Sequence, residues 1–469
     1  MSVNRIFSIL VLLSVLGLNL ACEKSAPQQD PQSPATSSTT PAPKKQVTLE
    51  SNSGITHMDS VVWAINVGGD AFTGVDGHSY LADDASFGGQ VGSISAVIKG
   101  TQDKTIYQTY RSGDIQIRKA LANGTYDIMF RFAEPQDIDP GERVFDIVAE
   151  NNVVVTDLDV RVARDGNPFS ALDRAVTNVV VTDGQLDIDL KAKAGVPIIN
   201  AIIVRKQVSD SRQWKLIWSD EFDYDGQPDS EKWTHDIWPA RKVNDEDQTY
   251  TDRLKNVRVE NGMLVLEAHK EAFNNAEYTS GRIHSAAKGD LLYGRIDVRA
   301  KLPPGQGTWP AIWMLPSDPF KYATTCKPGE DWQGSDSCDA WPNSGEIDIM
   351  EHVGYDMNTV HGTVHNRAYY WVNGEQRKGS VNSVNAEQEF HVYSLEWTPD
   401  SITILFDGAP YFFYMNEGEG WKAWPYDHAY NLILNLAVGG FWGRAGGPID
   451  DSIFPVRMEV DYVRMYKQE

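Results

Sequence analysis

Positive charge is scarce in this sequence: 42 Lys and Arg stand against 65 Asp and Glu, a net charge of −23. Such a chain cannot neutralise a phosphate backbone, so no nucleic-acid partner is expected. The acidity itself says little more than that the surface is well solvated. No P-loop, dinucleotide fingerprint or nucleophile elbow occurs, which sets aside nucleotide-driven and serine-nucleophile chemistry. Two histidines lie four apart in His361-Gly-Thr-Val-His365, but Thr and Val favour a strand over the helix of a HExxH zinc site. Cysteine is rare too, at 3 in 469 residues. Aromatic residues are plentiful by contrast, with 14 Trp and 19 Tyr able to stack on flat ligands.

Only one long apolar run is present, Ile6 to Leu20 after Arg5, and it is too short to span a bilayer comfortably. It ends in Leu-Ala-Cys and resembles a bacterial lipoprotein signal over residues 1–22, with Cys22 as the acylated residue. Asn19 departs from that pattern, leaving simple secretion as the alternative. Acyl chains would tether the protein to a membrane surface without crossing it. The expected location is therefore extracytoplasmic, on a bacterial and by preference outer membrane, or secreted. Residues 23–46 hold Pro, Ser, Thr, Ala and Gln without an aromatic residue, as a disordered linker does. Cys326 and Cys338 remain as an even pair in an exported chain, which reads as a disulfide. Both lie in a Gly/Asp/Pro-rich stretch, Ser317 to Asn343, so the bridge would staple a loop.

Length favours two folded units. Residues 47–207 alternate in short segments: Tyr126 to Phe132, Arg143 to Val148, Leu186 to Leu190 and Ile198 to Val204. Asn123-Gly124 and Asp183-Gly184 punctuate them, the signature of a β-sandwich. The segments Trp63-Ala-Ile-Asn-Val-Gly-Gly69, Ile106-Tyr-Gln-Thr-Tyr110, Phe132-Ala-Glu134, Gly141-Glu-Arg-Val-Phe-Asp146 and Ala201-Ile-Ile203 resemble the malectin-like carbohydrate-binding domains. Pro135-Gln136 stand where malectin has aromatics, so sugar binding is an open expectation. Tyr107 and Tyr110 read equally as stacking or as structural residues.

Residues 213–469 are a second β-rich unit. It includes Val257 to Glu267, Gly294 to Lys301 and Phe390 to Trp397, and a hairpin pivoting on Asp407-Gly408. A large two-sheet jelly roll is expected, so the whole fold is all-β. Within it, Ser344-Gly-Glu-Ile-Asp-Ile-Met-Glu-His-Val353 concentrates carboxylates. On a regular strand Glu346, Asp348 and Met350 share one face, and Glu351 would point into the core at heavy desolvation cost. One extra residue in a bulge near Ile349-Met350 would turn Glu351 to the side of Glu346 and Asp348. The two glutamates would then have Cα atoms ~13 Å apart. Leaning together, their carboxyl groups would approach to roughly 5–6 Å, near the separation of retaining glycosidases. Crowding should keep at least one proton on the cluster near neutral pH. A solvated acidic edge or a calcium site would carry the same short pattern.

The surroundings bear on that choice. Gly345-Glu-Ile-Asp-Ile-Met-Glu-His352 resembles the catalytic motif of glycoside hydrolase family 16. Trp218-Ser-Asp-Glu-Phe222, Asn244-Asp-Glu-Asp-Gln-Thr-Tyr-Thr251, Thr279-Ser-Gly-Arg282, Trp309-Pro-Ala-Ile-Trp-Met-Leu315, Asn431 to Gly440 and Val460-Asp-Tyr-Val-Arg464 follow that family's order. The resemblance implies a retaining endo-hydrolase of β-1,3-glucan, similar to the laminarinase branch, with no catalytic cofactor. Glu346 would be nucleophile, Glu351 acid/base, and Asp348 the residue sharing a proton with the nucleophile. His365 would lie near the acid/base. Trp309 and Trp313 would offer apolar faces to sugar, and Asn244 and Arg282 would bond hydroxyls; for each tryptophan taken alone, core packing is an equal reading, and its place in the motif favours sugar contact. The resemblance further implies a structural Ca2+ on Glu221 and Gly262 through carbonyls and on Asp461. The protein is expected to be a monomer. Mixed-linkage glucan or a galactan is the alternative substrate, and a non-catalytic glucan-recognition protein is the alternative of another class.

Overall fold

Alternation of apolar and polar residues over short segments produces strands nearly throughout, and the α-helices are single turns such as Val160–Ala163. The computed structural model describes residues 60–335, 337–382 and 385–469. All of these fall within one unit of the chain, Lys44–Glu469. The signal-like segment, Cys22 and the 23–46 linker lie outside the described residues. No helix among the described residues is long and apolar enough to cross a membrane.

In the N-terminal half, strands Val61–Asn66, Ala201–Lys206, Gly124–Ala133 and Ala171–Val181 pair in that order, and a six-stranded sheet packs on one of their faces. Successive side chains point to opposite faces of a strand, and here both faces are buried. Ile128, Phe130 and Phe132 enter the core between the two sheets. Their neighbours Met129 and Ala133 enter a different core, continuous with that of the C-terminal half. Two-sided burial accounts for unbroken apolar runs such as Ile202-Ile203-Val204.

The two halves are joined edge to edge. Ala171–Val181 runs parallel to Arg377–Asn382, with Gly379 opposite Asp173 and Val381 opposite Ala175. The sheet then continues through Thr359–His365, Glu346–His352, Thr308–Pro316, Tyr430–Val438, Arg282–His284 and Thr234–His235, eleven strands in all. A ten-stranded sheet, running from Gln248–Tyr250 to Ala409–Met415, supplies the second layer of the C-terminal half; neither sheet closes on itself. A two-sheet jelly roll thus follows a smaller sandwich.

Two segments differ from the sequence reading. Val257 to Glu267 is a hairpin, because Asn261 and Gly262 both take positive φ and reverse the chain between Glu260 and Met263. Ile198 to Val204 is divided between two sheets at Asn200. That side chain is fully buried; it accepts from the Ala133 N–H and donates to the Tyr107 and Thr109 carbonyls.

Candidate active site

The strand Glu346–His352 lies mid-sheet and carries one extra residue. Glu346 and Asp348 face His365 and Thr363 in regular register, but Glu351 faces His361, a shift of one between Asp348 and Glu351. The neighbouring strand shows the same slip, with Trp313 opposite Asp348 but Ile312 opposite Met350. Ile347, Ile349 and Met350 are all buried in the apolar core. The bulge thus absorbs two consecutive core residues and returns Glu351 to the side of the other carboxylates. The Tyr411 hydroxyl donates to the Ile349 carbonyl at 2.6 Å, satisfying a buried group at the break in the ladder. Gly345 opens the strand at φ +87°, and a Cβ there would stand 2.3 Å from the Tyr430 hydroxyl. That hydroxyl is fixed by donating to the Ser344 carbonyl at 2.6 Å, so a side chain is excluded.

Glu346, Asp348 and Glu351 open into a single cleft of about 880 Å³. The Trp341 indole N–H donates to Glu346 Oε2 at 2.9 Å, and the Trp309 indole N–H donates to Glu351 Oε1 at 3.1 Å. Asp348 is 2 % exposed, and burial with repulsion from both glutamates drives its carboxyl well above the ordinary range. Asp348 therefore keeps a proton and donates it in its hydrogen bond to Glu346, which favours charge on Glu346. Burial, then repulsion from Glu351, pushes Glu346 up as well. Burial lifts Glu351 to about 7, against the lowering influence of the Trp309 N–H and the Lys378 ammonium. All three carboxyls are thus raised, so the cluster retains protons near neutral pH and holds the proton donor that acid-assisted displacement requires.

Comparison with known proteins agrees with this geometry. Residues 244–464 match Glycosyl hydrolases family 16, and residues 61–206 match the Malectin domain. The chain is 45 % identical over 260 residues to the beta-glucanase of Rhodothermus marinus, covering 54 % of this chain and 85 % of that protein. It is 36 % identical over 280 residues to glucan endo-1,3-beta-glucosidase A1 of Niallia circulans, covering 54 % of this chain and 38 % of that one. The X-ray structure of the laminarinase from Rhodothermus marinus aligns with a TM-score of 0.50 at 44 % identity, over 55 % of this chain and 100 % of the other. The chain belongs to glycosyl hydrolase family 16. It is a glycoside hydrolase whose family 16 domain follows a malectin domain.

Within the family 16 domain, Asn244, Arg282, Trp309 and Trp313 all line the cleft. Arg282 is held rather than free. Its Nε donates to Asp236 at 2.7 Å, and its guanidinium lies between the rings of Trp238 (4.2 Å) and Trp313 (4.8 Å). The Trp313 N–H is used on Asn435 Oδ1 at 2.7 Å, leaving its ring face as the part to offer a sugar. His365 corrects the sequence expectation. Its position opposite Glu346 brings Nε2 to 3.6 Å from Asp348 Oδ2 and 3.9 Å from Glu346 Oε1, while His361 stands across from Glu351. Burial lowers His365 to about 3, so the ring is neutral.

Cys326 and Cys338 form a disulfide, with Cα atoms 5.0 Å apart. The stapled loop borders the cleft through Trp332 and Gly334, and Trp341 follows it. Sequence reasoning missed Trp341, whose only signal was an aromatic residue just ahead of the carboxylate motif. It also missed Lys378. Of the two readings open for Tyr107, the structural one holds: it is 2 % exposed, and its hydroxyl donates to Asp173.

Strand register sets the oxygen donors suggested for Ca2+ on or next to three neighbouring strands. Asp220 pairs opposite Val463 and Leu264 opposite Val460, which brings Glu221 and the Gly262 turn to either side of Asp461-Tyr462. Main-chain carbonyls and a carboxylate suit calcium. The Glu221 side chain is occupied by Arg464, consistent with a carbonyl role, but Arg299 takes one oxygen of Asp461 at 2.8 Å. The donor set fits, with the guanidinium as a neighbour.

Proposed function

We infer that this enzyme is an endo-acting β-1,3-glucanase working by double displacement with retention. The observation that carries the reading is the bulge that directs Glu346 and Glu351 from one strand into one cleft. A carboxyl separation of roughly 5–6 Å, as strand spacing with a bulge implies, leaves no room for a nucleophilic water between them and the sugar. Glu346 attacks C1, forming a C–O ester bond as the bond from C1 to the leaving sugar oxygen breaks. Glu351 gives its proton to that oxygen. Glu351, now anionic, takes a proton from water; the water oxygen bonds to C1 and the ester breaks, restoring Glu346. Asp348 holds its proton on Glu346 in the resting enzyme, and neutral His365 lines the same pocket.

The names of the Rhodothermus and Niallia relatives support β-1,3-glucan as the polymer. Digestion of laminarin, lichenan and agarose tests this, with laminari-oligosaccharides of several lengths expected from laminarin first. Release of a single short product from one chain end, or preference for agarose, would overturn it. We further infer a monomer anchored outside the cytoplasm through acylated Cys22. Radiolabelled palmitate should label the wild type and not Cys22→Ser. A Ca2+ held on the Glu221 and Gly262 carbonyls and Asp461 would brace the sheet edge and take no part in the chemistry.

A further inference from the structure

The cleft does not stop at the family 16 domain. On the Arg377–Asn382 side of the catalytic strand its wall is built by Arg164, Asp165 and Asn167 of the malectin domain. These residues form a tight turn after the helix Val160–Ala163. Asp159 caps that helix through the Arg161 and Val162 amides, Asp165 takes φ +57°, and the Asn167 amide donates to the Arg164 carbonyl at 2.9 Å. Lys378, two strands from the catalytic strand, reaches across to Asp165 Oδ2 at 3.2 Å and holds the turn in place.

Two features of this end are unexplained by folding. Arg164 is only 4 % exposed, yet its Nε and Nη1 have no hydrogen-bond partner, and Nη2 has only the Gln376 carbonyl at 3.5 Å. Nε and Nη1 are closed to solvent, so the nitrogen that a bound acceptor would engage is Nη2, whose present bond is long. Trp371, on the connection leading into the same strand, is 54 % exposed and also lines the cleft. An exposed indole face in the same cleft as the weakly bonded Arg164 Nη2 and the exposed Asn167 matches a pyranose, which is apolar on its C–H face and rimmed with hydroxyls.

We propose that the malectin domain completes a glucan subsite at the domain junction, where Arg164 and Asn167 bond sugar hydroxyls and Trp371 supports the ring. The malectin domain thereby acts as part of the catalytic cleft. This end lies three strands from the catalytic strand along the shared sheet, about 14 Å away. Asn244, Arg282 and Trp313 lie on the other side, so a chain filling both ends straddles the scissile bond. The inference rests on β-1,3-glucan being the substrate.

The test compares kcat/KM of full-length wild type, Asn167→Ala, Trp371→Ala and Arg164→Ala on β-1,3-gluco-oligosaccharides of three to seven units. The variants should lower the ratio of the heptaose value to the triose value at least tenfold, with the point of cleavage shifting along the heptaose. Asn167 and Trp371 are exposed, so their variants should melt with the wild type and remain informative if Arg164→Ala does not fold. A purely structural role would lower all lengths in proportion and would overturn the proposal, as would unchanged ratios. Wild type inactive on every length would overturn the substrate reading itself, and the subsite with it.

Discussion

Replacing Glu351 with Gln removes a titrating proton while keeping the shape of the side chain. A carboxyl lifted from an ordinary 4.5 to about 7 penalises the folded state by about 3 kcal/mol once both states are ionised. The sign follows from which state ionises first. Below about pH 4 the group is protonated folded and unfolded, and it contributes no difference. Between about 4.5 and 7 the unfolded chain releases its proton while the folded one retains it, so stability falls as pH rises through about 7. Glu351→Gln lacks this loss. From pH 4 to pH 8 the wild type should therefore lose about 3 kcal/mol relative to the variant, read from denaturant midpoints at the two pH values. The same substitution should cut laminarin hydrolysis by about 10²–10⁴-fold. It should also abolish the alkaline limb expected of wild type near pH 7, where the leaving oxygen loses its donor. Stability curves running parallel from pH 4 to 8 would show that Glu351 is not held protonated by its surroundings. An unchanged alkaline limb would remove it as the acid.

Glu346→Ser should abolish hydrolysis with folding intact; turnover above about a hundredth of wild type, judged against the catalytic factors expected of such groups, would sink its role as nucleophile. Titrating that inactive variant with a laminari-oligosaccharide should give one site per chain, because Tyr107 is buried and offers no separate platform; a second stoichiometric site would contradict this. Chelation by EDTA should lower the melting temperature without changing the initial rate at 25 °C, and added Ca2+ should restore it. Asp461→Ala should make the melting temperature insensitive to both treatments.

The chemistry was easier to read from the sequence than the architecture that surrounds it. Glu351 sits on the wrong parity from Glu346 and Asp348, and the cost of burying a carboxylate makes a bulge the economical solution; the register bears one between Asp348 and Glu351. The pairing of Asp173–Ala175 with Gly379–Val381 was not legible. Parallel pairing across more than 200 residues leaves no turn signal, and both segments read as ordinary buried strands. For the same reason nothing in the sequence placed Arg164 beside the cleft. Trp341 reaches Glu346 from the single turn Ala340–Asn343, too short for periodicity to carry information about direction. His365 was placed near Glu351 by resemblance alone, since no turn signal in the sequence states that the next strand pairs with Glu346 opposite His365. Asn261-Gly262 did carry a hairpin signal, hidden inside an otherwise continuous alternation.

The central claim is that Glu346 and Glu351 act on one sugar from one strand, without a water between them. Proton NMR during the first minutes of laminari-oligosaccharide digestion, before mutarotation, reads the configuration of the newly released reducing end directly. Retention predicts that the β-anomer accumulates first, with transfer products at high oligosaccharide concentration. Initial accumulation of the α-anomer would mean an inverting geometry and would contradict the assignment of both glutamates.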